Sequence, residues 1–272
     1  MTMVLSRFHT PMLNKVPEVT MSFWLIKLMA VTVGETAADY MNLDLGYGLS
    51  NTSWVLSALL AVALGIQFMH NRYVPWVYWL SVVLISVVGT LITDNLVDNF
   101  GVALETTTIV FSAALIVTFA VWYAVEGTLS IHAIDTRRRE AFYWLAILFT
   151  FALGTAAGDW AAEGLGLGYL QAGLIFGVAI AVIAFAYYVL NLDGILAFWL
   201  AYILTRPLGA SFGDLFSQPL DSGGLEFGST MTSFIFLGAI AALVFYMTWV
   251  RDDEAFPPSQ SGGERPAVRL DA

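Results

Sequence analysis

The chain contains no cysteine in 272 residues, which excludes disulfides and thiolate metal sites. Charge is also scarce. Asp, Glu, Lys and Arg make up 12% of the sequence, where a soluble domain carries about a quarter. Eleven basic residues are too few for a nucleic-acid footprint. His9, His70 and His132 are the complete histidine set and fall outside the apolar runs. No nucleophile–base pair, HExxH motif or cofactor loop is present, so neither an enzyme nor a resident cofactor is expected. What the sequence has in excess is apolar length. Hydrophobic residues reach 58%, mean hydropathy is +0.76, and apolar runs of the length that crosses a bilayer core of about 30 Å recur along the chain. The expectation is an all-α polytopic membrane protein.

The runs repeat. Gly34 and Asp39 are matched by Gly89 and Asp94, Gly154 and Asp159, and Gly209 and Asp214. Ten residues before each Gly stands a tryptophan: Trp24, Trp79, Trp144 and Trp199. The step from Asp39 to Asp94 equals that from Asp159 to Asp214, and the middle step is longer, the pattern of a hairpin duplicated twice. Repeats of this kind fix the architecture before any motif is read.

Hydropathy places two spans in each repeat, eight in all. Span one covers about 23–43, span two ends near 69, span three covers 74–97 and span four 105–129. Spans five to eight cover 141–162, 169–190, 195–216 and 229–250. The domain plan is a polar lead at 1–20, a first half at 21–129, a basic loop at 130–140, a second half at 141–250 and a polar, Pro/Gly/Ser-rich tail at 251–272, whose composition predicts disorder. Asn51-Thr52-Ser53 resemble a helix start. Apart from Lys27 and Arg206, the basic residues lie in the termini, the 70–74 break and the 130–140 loop. The opposite loops, 41–52, 98–104, 163–168 and 217–228, have none. The positive-inside rule then puts both termini in the cytoplasm. Two crossings per repeat make the repeats parallel, related by an axis along the membrane normal.

All four aspartates therefore share one depth near the outer end of the odd spans. The tryptophans, about four helical turns earlier in each odd span, are expected at the inner interface as anchors. Intramembrane acids are costly and face a bundle interior or an aqueous cavity. Helical spacing puts Glu35 and Leu43, Thr90 and Asp98, Thr155 and Glu163, and Ala210 and Gln218 on the faces of Asp39, Asp94, Asp159 and Asp214 respectively. Small residues beside them permit close helix packing. The joint expectation is four odd helices around an axis, with acidic stripes turned inward. Such an oxygen-only set suits Mg²⁺, Ca²⁺ or Mn²⁺. Clustered carboxylates cannot all ionise cheaply, so protons compete with the cation. The metal candidates are Asp39, Asp94, Asp159 and Asp214, with Glu35, Asp98, Glu163, Thr90 and Thr155 as further cation or proton ligands.

Arg206 is expected to pair with one of the aspartates, the alternative being a moving charge that replaces the cation, and the adjacent Pro207 is expected to kink or break its helix. Lys27 is expected to snorkel to the interface. Glu105 and Glu126, at the two ends of span four, are candidates to line a path.

The runs LNKVPEVT, TVGETAADY, VVGTLITDNLVDNFGV, REAFYWLAILFTFALGTAAGDW and AFWLAYILTRPLGASFGDLFSQP resemble a bacterial family labelled "membrane-anchored protein", over about residues 13–250. The resemblance implies four tandem two-span repeats of unknown function, each with its tryptophan; it implies no activity. From the residues, the leading reading is a proton-coupled transporter or exporter of a hard divalent cation, Mn²⁺ first, in a bacterial inner membrane. Its partners are the bilayer, the cation and protons. A membrane sensor or scaffold, and a passive cation channel, are the alternatives.

Overall fold

In a computed structural model, which describes residues 13–255, eight helices carry the chain: α1 (Met21–Asp39), α2 (Leu49–Met69), α3 (Pro75–Asp94), α4 (Leu104–Glu126), α5 (Arg137–Asp159), α6 (Tyr169–Leu190), α7 (Gly194–Ser217) and α8 (Gly228–Ala255). There is no strand among the described residues. All eight are long and apolar enough to cross a membrane. Without water to satisfy backbone groups, a spanning segment must bond internally, and helices do so. At one end of the bundle Thr20, Thr136 and Asp193 cap α1, α5 and α7 through side-chain oxygens, and Pro75 takes the first turn of α3, where its missing N–H costs nothing.

The odd helices form a closed ring: α1 packs on α3, α3 on α5, α5 on α7, and α7 returns to α1. Each even helix leans on the next odd one, α2 on α3, α4 on α5, α6 on α7 and α8 on α1. Burial follows this division. In the odd helices 50–72% of the apolar window is inside, in the even ones 6–28%. The even helices thus present the lipid-facing surface.

The motif glycines make the ring possible. A Cβ on Gly34 would collide with Ser86, on Gly89 with Phe151, on Gly154 with Arg206 and on Gly209 with Val31. Val31, Ser86, Phe151 and Arg206 each stand three residues before a motif glycine. One contact is therefore made four times, each helix pressing that position into the glycine of the helix before it.

Three odd helices continue past their aspartate as a π-helical turn: Tyr40–Asp44, Asn95–Asn99 and Trp160–Gly164. α7 has none; it ends at Ser217 and is followed by a short 3₁₀ turn at Leu220–Ser222. In the loops after α1 and α5, Gly46, Gly48, Gly166 and Gly168 all hold positive φ, which suits glycine.

Several expectations need correction. α7 runs unbroken through Pro207. α2 begins at Leu49, before Asn51, with no side-chain cap. Arg137–Arg139 form the first turn of α5 instead of a loop. A finding the sequence did not suggest is that the lead, where it is described, is tied to the bundle: Leu13 N–H bonds Asn71 O (2.9 Å), Lys15 N–H bonds Ile134 O (3.1 Å), and Tyr73 N–H bonds Asn14 O (3.2 Å). Lys15 Nζ donates to Glu140 Oε2 at 2.5 Å, with both side chains 1% exposed. Gln67 Nε2 reaches the other oxygen of Glu140 at 3.1 Å. The tail expected to be disordered from residue 251 starts later, since α8 runs on to Ala255; residues 256–272 lie outside those described.

Three of the four motif tryptophans are not interfacial anchors. Trp79, Trp144 and Trp199 are 2–4% exposed; Tyr78 packs on both Trp79 and Trp144, and Phe119 and Trp122 pack on Trp199. Trp24 alone of the four is half-buried.

Candidate functional site

Because the repeats keep register, the ring is built in levels. The aspartates form one. A helical turn below lie Glu35, Thr90, Thr155 and Ala210; below these come Val31, Ser86, Phe151 and Arg206. Each later level is again four residues earlier: Lys27, Val82, Ile147 and Tyr202, then Phe23, Tyr78, Tyr143 and Phe198. These last three levels are buried in all four repeats.

Arg206 reaches upward from its level into the one above. Its Nη2 donates to Glu35 Oε2 at 3.0 Å, to Thr155 Oγ1 at 2.6 Å, and to Thr90 Oγ1. Thr90 Oγ1 also donates to Glu35 Oε2 at 3.4 Å. Ala210, at the fourth position of that level, has no side chain that could compete for the space. The guanidinium is fully buried, and its Nε and Nη1 find no acceptor among the described residues; the Phe151 ring lies 5.7 Å from its Cζ.

Arg206 therefore pairs with Glu35, not with an aspartate. Thr90 and Thr155, expected as cation ligands, face the guanidinium. Lys27 does not snorkel either. It is fully buried, donating to Thr205 Oγ1 at 2.5 Å and Tyr202 O at 3.0 Å, with its Nζ 3.7 Å from the Tyr202 ring centroid. Its α1 face is turned toward α7, so the side chain has no route to the interface.

Above the guanidinium the acids gather. One carboxylate oxygen each from Glu35, Asp159 and Asp214 lies within 4.8 Å of the others. A single divalent ion with oxygen ligands at about 2.0–2.6 Å spans that distance. Asp214 is 8% exposed; Asp39, Asp94 and Asp159 are half-buried. Gln218 Nε2 donates to Asp39 Oδ2 at 3.4 Å. Asp94 lies within electrostatic reach of Glu35, Asp39, Asp98 and Asp159 but outside the close trio. Asp98 and Glu163 are exposed on the π-helical turns; Glu163 accepts from Tyr169 Oη at 3.3 Å. They stand at the rim.

Of the path candidates, Glu126 is taken by Arg138 and by Arg139 (2.8 Å), which leaves it a structural acid. Glu105 lies in the first turn of α4 and is exposed. Sequence reasoning missed the Arg206–Glu35 bond, although the register held a signal: Arg206 stands one turn before Ala210, the small member of the Glu35 level.

A family profile described as a repeat of unknown function, DUF347, matches residues 22–73, 77–128, 142–192 and 197–253. The chain belongs to the DUF347 repeat family. The four matches coincide with the four helix pairs that build the ring. No curated protein and no solved structure matches the chain.

Proposed function

We propose that this DUF347 protein is a secondary transporter of a hard divalent cation, with Mn²⁺ the first candidate, exchanging it for protons across a bacterial inner membrane with both termini in the cytoplasm. The observation that carries this reading is the grouping of Glu35, Asp159 and Asp214 oxygens within 4.8 Å, directly over a buried arginine bonded to one of them. Hard carboxylate oxygens suit such an ion. Arg206 holds Glu35 when no cation is there and competes for it when one arrives. Protons compete for the same oxygens, since binding takes the ionised form.

A passive channel is the weaker reading. Below the trio lie three levels buried in every repeat, two of which hold a fully buried basic side chain, Arg206 or Lys27. A divalent ion cannot pass through them without a rearrangement of the ring, which is how a transporter works.

The test is reconstitution. In proteoliposomes an imposed pH gradient is expected to drive Mn²⁺ against its own gradient, with Mg²⁺ and Ca²⁺ ranking it for selectivity. If the purified protein binds none of the three at neutral or mildly alkaline pH, the transporter reading fails and a sensor or scaffold replaces it.

A further inference from the structure

A cavity of about 710 Å³ opens near the basic end of the bundle, between α6, the start of α7, the start of α1 and the link at residues 129–132. The repeat register shows how it arises. α4 begins at Leu104 and α6 at Tyr169, one repeat step apart, so Phe119 corresponds to Ala184 and Trp122 to Tyr187. Trp199 of α7 corresponds to Trp24 of α1. In the earlier repeat, Phe119 and Trp122 pack on Trp199 with ring centroids 4.8 and 5.8 Å away. One repeat later Ala184 replaces the phenylalanine, Tyr187 the tryptophan, and Trp24 is left half-buried on the cavity wall. The link between the two halves, which makes the middle repeat step longer than the other two, supplies the floor.

Two properties select the occupant. The wall formed by Ile180, Ile183 and Ala184 belongs to α6, whose apolar window is only 6% buried, the most lipid-facing of the eight. The cavity is therefore reached from the bilayer and has an apolar shaft about two helical turns long. Its polar end holds Glu18, His132 and Asp193 and, among the described residues, no Lys or Arg. Asp193 uses Oδ1 to cap α7 at 2.9 Å, which leaves its other oxygen for a ligand, and the first turn of α7 offers the positive end of a helix dipole. The nearby Arg138 and Arg139 are engaged by Glu126.

We propose that this cavity binds one phospholipid from the leaflet at the basic end, its acyl chain along α6, its phosphate toward His132 and the start of α7, and a primary-amine headgroup at Glu18 and Asp193. Two acids without a basic residue favour an ethanolamine headgroup over the anionic glycerol one.

The full chain, extracted in mild detergent from membranes holding phosphatidylethanolamine and phosphatidylglycerol, is examined by native mass spectrometry. One retained phosphatidylethanolamine per chain is expected. Ala184→Phe, which copies the filling used by the earlier repeat, is expected to cut occupancy at least tenfold, and Glu18→Gln to erase the headgroup preference. Retention of no lipid, or equal retention by Ala184→Phe, overturns the site; equal retention of phosphatidylglycerol by the unaltered chain overturns the headgroup assignment. Should Ala184→Phe fail to fold, chain-brominated phosphatidylethanolamine gives an independent reading. It is expected to quench the unaltered protein more than Trp24→Phe, and equal quenching overturns the proposal.

Discussion

Arg206 of α7 donates to Glu35 of α1 at 3.0 Å, joining two helices far apart in the chain that meet because the last repeat closes on the first. The bond does two things. It completes the ring electrostatically where the fourth repeat has alanine in place of a polar side chain, and it puts a fixed positive charge beneath the carboxylates.

Breaking this pair from one side leaves a buried charge alone, at a cost of about 3–5 kcal/mol. Glu35→Gln and Arg206→Gln are each expected to lower thermal stability in detergent substantially. The double variant is expected to lose less than the sum of the two, because it strands neither charge. Strictly additive losses in a double-mutant cycle would show that the two side chains are not coupled.

The glycine contacts give a second stability test. Gly154→Ala places a Cβ against the Arg206 side chain, and Gly34→Ala places one against Ser86; overpacking of this kind costs about 1–3 kcal/mol. Gly65→Ala on α2 and Gly238→Ala on α8 meet nothing within 4 Å and are expected to leave the melting temperature unchanged or raised. A melt that ranks all four alike would contradict the close-packed ring.

Much of this architecture was legible in the sequence, for definite reasons. Apolar length and the fixed Gly–Asp register dictate eight spans, and two crossings per repeat dictate a parallel ring. Rotation about the helix axis was harder to read. Lys27 lies near the first end of α1, where snorkelling is the ordinary outcome, yet that face meets α7 through a contact between repeats one and four. Trp144 and Trp199 sit at interfacial spacing from the aspartates, but spacing along one helix does not reveal a second helix covering the ring. The π-helical turns after Asp39, Asp94 and Asp159 have no compositional mark, and they carry Asp98 and Glu163 to the rim.

The trio predicts inequality among four residues that look equivalent in sequence. Asp159→Asn and Asp214→Asn remove ligands from the close group and are expected to weaken Mn²⁺ binding by about tenfold or more, the size of effect seen when groups around a metal are lost. Asp39→Asn and Asp94→Asn lie outside the trio and are expected to have smaller effects. Calorimetric titration of each variant reads the ranking, and equal losses at all four positions would point to a symmetric ring site instead.

Orientation is tested by reporter fusions. Those after residues 48, 101, 166 and 222 are expected to report the outer side, and those after 72, 135, 192 and 255 the cytoplasm, since the first four follow the acidic ends of odd helices and the rest follow even helices or precede odd ones. A mixed result within either group is incompatible with parallel repeats.

Proton competition fixes the sign of the pH dependence. A cation binds the ionised carboxylates, so lowering the pH fills its ligands with protons and weakens binding; raising the pH frees them and strengthens it. Each proton displaced contributes up to about a tenfold change in apparent affinity per pH unit. Arg206 opposes the cation directly through its charge and indirectly by holding Glu35. Arg206→Gln, in whatever fraction folds, is therefore expected to bind Mn²⁺ more tightly at a given pH while losing gradient-driven uptake, because the charge that returns to Glu35 as the cation leaves is gone. Titrating Mn²⁺ at several pH values, for the unaltered chain and the variant, separates the two effects. Affinity independent of pH would rule out proton exchange at this site, and a variant that binds more weakly would show that Arg206 supports the cation site instead of competing with it.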